Sequence, residues 1–156
     1  MKKIKLSGGK QTLVDDEDFE FLNQWKWNAL HTKPGRFVVG RTTRKKEGVR
    51  RTLSMSRVIT GAPSAFQVDH KNGNPLDNRK KNLRICTHSE NQFNRGCYTN
   101  NKLGLKGVRL QGKSYVARIS YRGELKHLGS FKTASLATKA YREAAKKYHK
   151  EFARWK

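Results

Sequence analysis

The chain has 156 residues, enough for one ordinary domain or two small ones. Lys and Arg number 35 against 12 acids, a formal net charge of +23 spread along the whole length, so a compact form needs a polyanion nearby and nucleic acid leads the candidate partners. No run approaches the roughly 18 apolar residues of a membrane-spanning helix, the opening MKKIKLSGGK lacks the apolar core of a signal peptide, and Cys86 and Cys97 alone make no disulfide framework. A cytoplasmic protein with no membrane partner is the expectation.

Residues 1–60 read as a β-rich segment. DDEDFEFLNQWKW (15–27) begins as a short helix whose leading acids, Asp15 to Asp18, suit the positive end of the helix dipole better than a metal site. Trp25 and Trp27 read as packing aromatics. GRFVVGRTTR (35–44) and VRRTLSMSRVI (49–59) read as strands joined by the turn KKEG. Nothing in this segment forms a chemistry-bearing constellation.

Residues 61–97 are dense in His, Asn and Asp. QVDH is a short strand ending in Asp69-His70, and KNGNPLDN supplies the residues of a tight irregular loop. NLRIC (82–86) makes a second strand. Thr87 and Glu90 then form a capping box that starts a helix running to about Arg95. In this strand–loop–strand–helix order, Asp69 and Asn91 can offer oxygen ligands to one hard divalent cation. His70, beside Asp69, can point into the same cleft and take a proton from water. Asn72, Asn74 and Asp77 read as loop formers, and Arg84 and Arg95 as phosphate contacts.

The text DHKNGNPLDNRKKNLR closely resembles the HNH, or ββα-metal, nucleases of the phage-type homing branch. His70, Asn82 and Asn91 stand at the three motif positions, spaced by twelve and nine residues. The resemblance implies that His70 is the general base, that Asp69 and Asn91 are metal ligands, and that Asn82 holds the loop by hydrogen bonds. Asn91 stands where the letter pattern has His, which implies Mg²⁺ or Mn²⁺ rather than zinc. It further implies cleavage to 5′-phosphate and 3′-hydroxyl ends in a bacterial or phage-infected host cell.

A polar linker, 98–104, leads to residues 105–156, where three strand-like runs precede one helix. In the middle run Tyr115, Ala117 and Ile119 share one face, and Val116, Arg118 and Ser120 the other. Thr133 caps a helix with the apolar stripe Ala137, Ala140, Tyr141, Ala144 and Tyr148. KGVR, ARI, HLGSF and TASLATKAYREAA resemble the plant ethylene-response-factor (AP-two/ERF) DNA-binding domain, whose three-stranded sheet enters the major groove. That resemblance places Arg109, Gln111, Arg118, Ser120 and His127 at DNA-contacting positions and Lys106 at a phosphate-contacting one. The usual Trp after the first strand is missing and His127 replaces a second, so the resemblance implies the docking mode and not the target sequence.

The expected fold is therefore α+β: a β-rich N-terminal segment (1–60), a ββα-metal nuclease core (61–97), a linker, and a three-stranded antiparallel sheet with one helix (105–156). The expected function is a metal-dependent, site-directed, homing-type endonuclease on double-stranded DNA, acting as a monomer or a homodimer. A DNA-binding regulator with an inactive HNH remnant is the alternative, and a ribosomal-type structural binder also suits the charge.

Overall fold

A computed structural model describes residues 1–33, 36–44, 50–97 and 101–155. The turn KKEG and the first three residues of the linker, 98–100, lie outside the described residues. The chain forms two compact units, Met1–Thr87 and His88–Lys156, both of mixed α and β structure.

The first unit opens with β1 (Lys2–Ser7) and β2 (Gln11–Val14), an antiparallel pair turned through Gly8 and Gly9. Both glycines adopt positive φ, the left-handed region that glycine enters without steric cost. Alternation in β1 buries Ile4 and Leu6 and exposes Lys3 and Lys5. The helix α1 (Asp16–Asn23) follows, then β3 (Trp27–Lys33), β4 (Arg36–Arg44) and β5 (Arg50–Ser54). The sheet order is β2-β1-β3-β4-β5, with β1 and β3 parallel and the other pairs antiparallel. Ile4, Leu6, Val14, Leu22, Trp27, Val39 and Met55 form its core. Trp27 is fully buried and donates its indole N–H to the Leu22 carbonyl (2.8 Å), while Trp25 packs against the same cluster.

The expected strand over 49–59 is only half strand. β5 ends at Ser54, and Met55–Thr60 is a helix, α2. Met55, Val58 and Ile59 recur at helical spacing and reach the core together. Gly61 stops the helix in the left-handed conformation (φ 62°). Asp15 precedes α1 but makes no side-chain cap; its carboxylate accepts the Lys80 backbone N–H at 2.7 Å. Glu17 and Asp18 pair with the Lys80 ammonium at 2.7 and 3.2 Å. The acidic run thus clasps the base of the Asn-rich loop. That loop joins β6 (Gln67–His70) to β7 (Leu83–Cys86), an antiparallel pair, through the 3₁₀ turn Lys80–Asn82.

The second unit begins with α3 (His88–Phe93) and continues through β8 (Val108–Gln111), β9 (Ser114–Tyr121), β10 (Glu124–Phe131) and α4 (Ala134–His149). The sheet is antiparallel, in the order β10-β9-β8. Thr133 caps α4, its hydroxyl accepting the Leu136 N–H at 3.3 Å. The buried seam of α4 runs Ala137, Tyr141, Ala145, His149, a strict fourth-residue spacing that adds Ala145 and His149 to the expected stripe. Ala117 and Ile119 meet it from β9. Gly107 (φ 71°) must be glycine, because a Cβ there would lie 2.1 Å from the Tyr141 ring and 2.7 Å from the Arg118 carbonyl. No described helix is long and apolar enough to cross a membrane.

Candidate active site

Asp69 and His70 end β6, in register with Arg84 and Leu83 of β7. Neighbouring side chains on a strand leave opposite faces, and the two residues bond accordingly. Arg84 donates to Asp69 Oδ2 from Nε at 2.8 Å and sits with Nη2 at 2.7 Å from the same oxygen. Both side chains are about nine-tenths buried, at 10% and 8% exposure. Arg84, expected at a phosphate, is thus an ion-pair partner of Asp69.

His70 turns instead to Asn78, its Nε2 lying 3.2 Å from Asn78 Oδ1. The protonation pattern follows from the bonds further out. The Thr12 hydroxyl donates to the Leu76 carbonyl (2.9 Å), so its oxygen accepts from Asn78 Nδ2 (2.9 Å), which also donates to the Pro75 carbonyl (3.0 Å). The Asn78 amide is thereby oriented with Oδ1 toward His70, and only a protonated Nε2 can bond to it. Nδ1 then carries the ring's lone pair. Burial pushes the imidazole below its ordinary value, while the Asn78 bond and the charges of Asp69 and Asp77 pull the other way. The net result is a neutral ring at neutral pH, able to accept a proton.

The loop between the strands is a hydrogen-bonded solid. Asn82 is its hub: Oδ1 accepts the Asn72 N–H (3.1 Å), and Nδ2 donates to Asn72 Oδ1 (3.1 Å) and to the Asp77 carbonyl (2.7 Å). The Asn82 backbone carbonyl accepts the Lys71 N–H at 2.9 Å. Asp77 is gripped by Arg79 through two 2.6 Å bonds and by Asn72 Nδ2 at 2.9 Å. The Arg79 guanidinium holds the Asp77 carboxyl below the usual carboxylate range. Asn72 and Asn74 cap the next turns, accepting the N–H groups of Asn74 and Leu76. Leu13 of β2 exchanges backbone bonds with Leu76 and Asn78 (2.7 and 2.9 Å), so the N-terminal sheet carries the loop. Asp77, Asn78 and Asn82 are all buried and all satisfied. A cleft of about 470 Å³ opens over this network, lined by Lys71, Asn72, Asp77, Arg79, Lys81 and Asn82. Three cations at its rim suit a phosphate backbone.

Asn91 and Arg95 belong to the second unit, Asn91 on α3 and Arg95 just beyond it, where Arg95 Nη1 donates to Gln92 Oε1 at 2.5 Å. In the same unit Arg118 pairs in register with His127, Ser120 with Leu125, and Arg109 with Val116. Alternation puts Arg109, Gln111, Arg118, Ser120 and His127 on the sheet face opposite α4. All but Arg118 are exposed; Arg118 is half-buried, and its Nε has no hydrogen-bond partner among the described residues. Arg109 Nη2 donates to Gln111 Oε1 at 2.9 Å. Lys106 is elsewhere: its ammonium donates to the carbonyls of Phe93 and Arg95, and burial pushes it down to about 8. Among the described residues no group of three or more His, Cys, Asp or Glu is arranged to hold a metal. A site using one carboxylate and one carboxamide would not form such a group.

Sequence reasoning passed over Thr12, Asn78 and the Lys71–Arg79–Lys81 rim. Asn78 was visible in LDNRKKN, but its role depends on a strand 66 residues upstream.

Residues 60–93 match the family model of the HNH endonucleases. An uncharacterized HNH endonuclease of Acanthamoeba polyphaga mimivirus is 33% identical over 92 residues, 58% of this chain and 47% of that protein. Protein 3.8 of Escherichia phage T7 is 39% identical over 46 residues, 30% of this chain and 38% of that protein. The chain thus spans less than half the length of each relative. No solved structure matches. The matched stretch holds Asp69, His70, Asn82 and Asn91, and over those residues the chain is similar to the HNH endonucleases.

Proposed function

We propose that the protein is a metal-dependent, site-directed DNA endonuclease of the homing type. The observation that carries the reading is His70, a half-buried neutral imidazole with its tautomer set by Asn78, in a rigid hairpin within the HNH match. Nδ1 takes the proton from an attacking water, and the resulting hydroxide adds to phosphorus. Asn82 and the Asp77–Arg79 pair keep the loop from deforming as the substrate backbone enters, and Lys71, Arg79 and Lys81 attract that backbone.

Asp69 and Asn91 would hold the divalent ion. Asp69 is a buried carboxylate whose charge Arg84 offsets, and a carboxylate plus a carboxamide oxygen is a donor set that fits Mg²⁺ or Mn²⁺. Such an ion supplies charge compensation to the phosphate and the departing 3′ oxygen. The basic sheet face of β8 to β10 would dock in a DNA groove in the manner of the AP-two/ERF-like domain, with Arg109 and Arg118 at base edges.

The test is cleavage of supercoiled plasmid with Mg²⁺, with EDTA, and by His70→Ala. Cleavage should vanish in EDTA and fall by about two to four orders of magnitude in the variant, at unchanged DNA affinity. Parent-rate cleavage by His70→Ala, or cleavage undiminished in EDTA, overturns the reading. An inert parent protein identifies a binding protein with a silent HNH unit.

A further inference from the structure

The HNH match covers residues 60–93, whereas the compact units divide between Thr87 and His88. The last element of the nuclease motif therefore folds with the C-terminal unit. A six-residue helix with no buried residue does not hold itself in water, since nucleation is costly and the last carbonyls of a helix have no partner within it. Three groups of the C-terminal unit meet that need. The Lys106 ammonium donates to the carbonyls of Phe93 (2.5 Å) and Arg95 (2.6 Å), placing a cation at the negative end of α3. The Phe93 ring stacks on the His149 imidazole, with centroids 3.8 Å apart and planes within 7°. Arg154 Nη1 donates to the Asn94 carbonyl at 3.4 Å. His149 is itself pinned, its Nε2 donating to the Ser120 carbonyl of β9 at 2.8 Å. The grip falls within one turn of Asn91, and its other end is the strand that bears Arg118.

We propose that Lys106, backed by the Phe93–His149 stack, is a positioning residue for the nuclease motif: it fixes α3, and with it Asn91, to the DNA-docking sheet. The helix that completes the motif then moves with the sheet. A chain ending at residue 102 loses the holding groups. The effect on cleavage rests on the nuclease reading above; the fixing of α3 does not.

The experiment uses the full chain as parent, Lys106→Met and Lys106→Arg. Amide hydrogen exchange at residues 88–95 and 115–120 is read beside the kcat and KM of metal-dependent cleavage. In Lys106→Met, exchange at 88–95 should rise at least tenfold with 115–120 unchanged. kcat should fall at least tenfold with KM within twofold, and Lys106→Arg, which can still donate to both carbonyls, should recover most of both. Unchanged exchange at 88–95 overturns the proposal, as does an equal rise in both segments, which would make Lys106 a general stability residue. A mobile 88–95 segment with parent kcat overturns the positioning role. A parent protein that cuts no DNA overturns the nuclease reading, and the exchange measurements still decide whether Lys106 fixes α3.

Discussion

At the scale of single residues, the proposed chemistry depends on which nitrogen of His70 holds the proton. The chain Leu76 carbonyl, Thr12 hydroxyl, Asn78 amide, His70 Nε2 decides this without any charged group. Asn78→Ala removes the acceptor and orphans buried polar atoms, which costs about 1–3 kcal/mol per group left unpaired. The variant should lose stability in urea, and ¹⁵N shifts of the His70 ring should show both tautomers where the parent shows one. A hydrogen bond worth about 1 kcal/mol sets a tautomer ratio of about fivefold, so its loss takes the competent tautomer from about five-sixths of the population to about half, and the cleavage rate should fall by a little under about twofold. A single unchanged tautomer in Asn78→Ala would refute this account. Asp69 needs a gentler probe than alanine, because removing one member of a buried ion pair strands the other at a cost of about 3–5 kcal/mol. Asp69→Asn keeps the shape and an oxygen acceptor for the guanidinium, although it leaves the Arg84 charge uncompensated; it should abolish Mg²⁺-dependent cleavage and lower the urea midpoint while the circular dichroism spectrum stays that of the parent.

At the scale of elements, the close approach of α4 to its sheet is set by residues too small to draw attention. Ala137 and Ala145 are fully buried, and Gly107 lies beneath Tyr141. Gly107→Ala meets both a positive φ and an overlap with the Tyr141 ring, so it should destabilise the C-terminal unit by about 2 kcal/mol or more. A urea midpoint within error of the parent would contradict the packing described. The alternation in SYVARISY was legible because a period of two is local: Ala117 and Ile119 face the helix, and Arg118 and Ser120 face away, as the pattern demands. The helix Met55–Thr60 was not legible. Six residues after a strand offer too few periods to separate helix from strand, and burial of Met55, Val58 and Ile59 against a core assembled from β1, α1 and β3 decides the matter.

At the scale of the whole molecule, two half-buried or buried histidines, His70 and His149, couple stability to pH. Burial lowers both, His149 with help from the nearby Lys106 charge and against the Ser120 bond. The unfolded chain titrates near the ordinary value of about 6.5. Between that value and the lower native ones the unfolded chain binds more protons, so this contribution to stability is whole above about 6.5 and is lost as pH falls toward the native values. Urea midpoints should therefore drop between pH 7 and 5, less steeply in His149→Phe, which keeps a ring on Phe93 and cannot titrate. An identical slope in parent and variant would remove His149 from the account.

The amino-acid sequence by itself determined the strong positive charge and the two faces of the C-terminal sheet, which are written in composition or in spacings of a few residues, where covalent geometry alone relates the side chains. The HNH stretch and the loop-holding role of Asn82 came from the resemblance to a known family. Tertiary structure decided the rest. Lys106 stands at a phosphate-contacting position by resemblance, and folding brings the carbonyls of Phe93 and Arg95 to it. Arg84 reads as a phosphate contact until strand register sets it on Asp69. Nothing in the sequence singles out Thr12, whose hydroxyl orients Asn78. Composition cuts the chain at a polar linker, but the compact units divide before α3, because a helix too short to hold itself takes its place from whichever partners satisfy its carbonyls and cover its ring. Those partners are far away in sequence, and only folding brings them near.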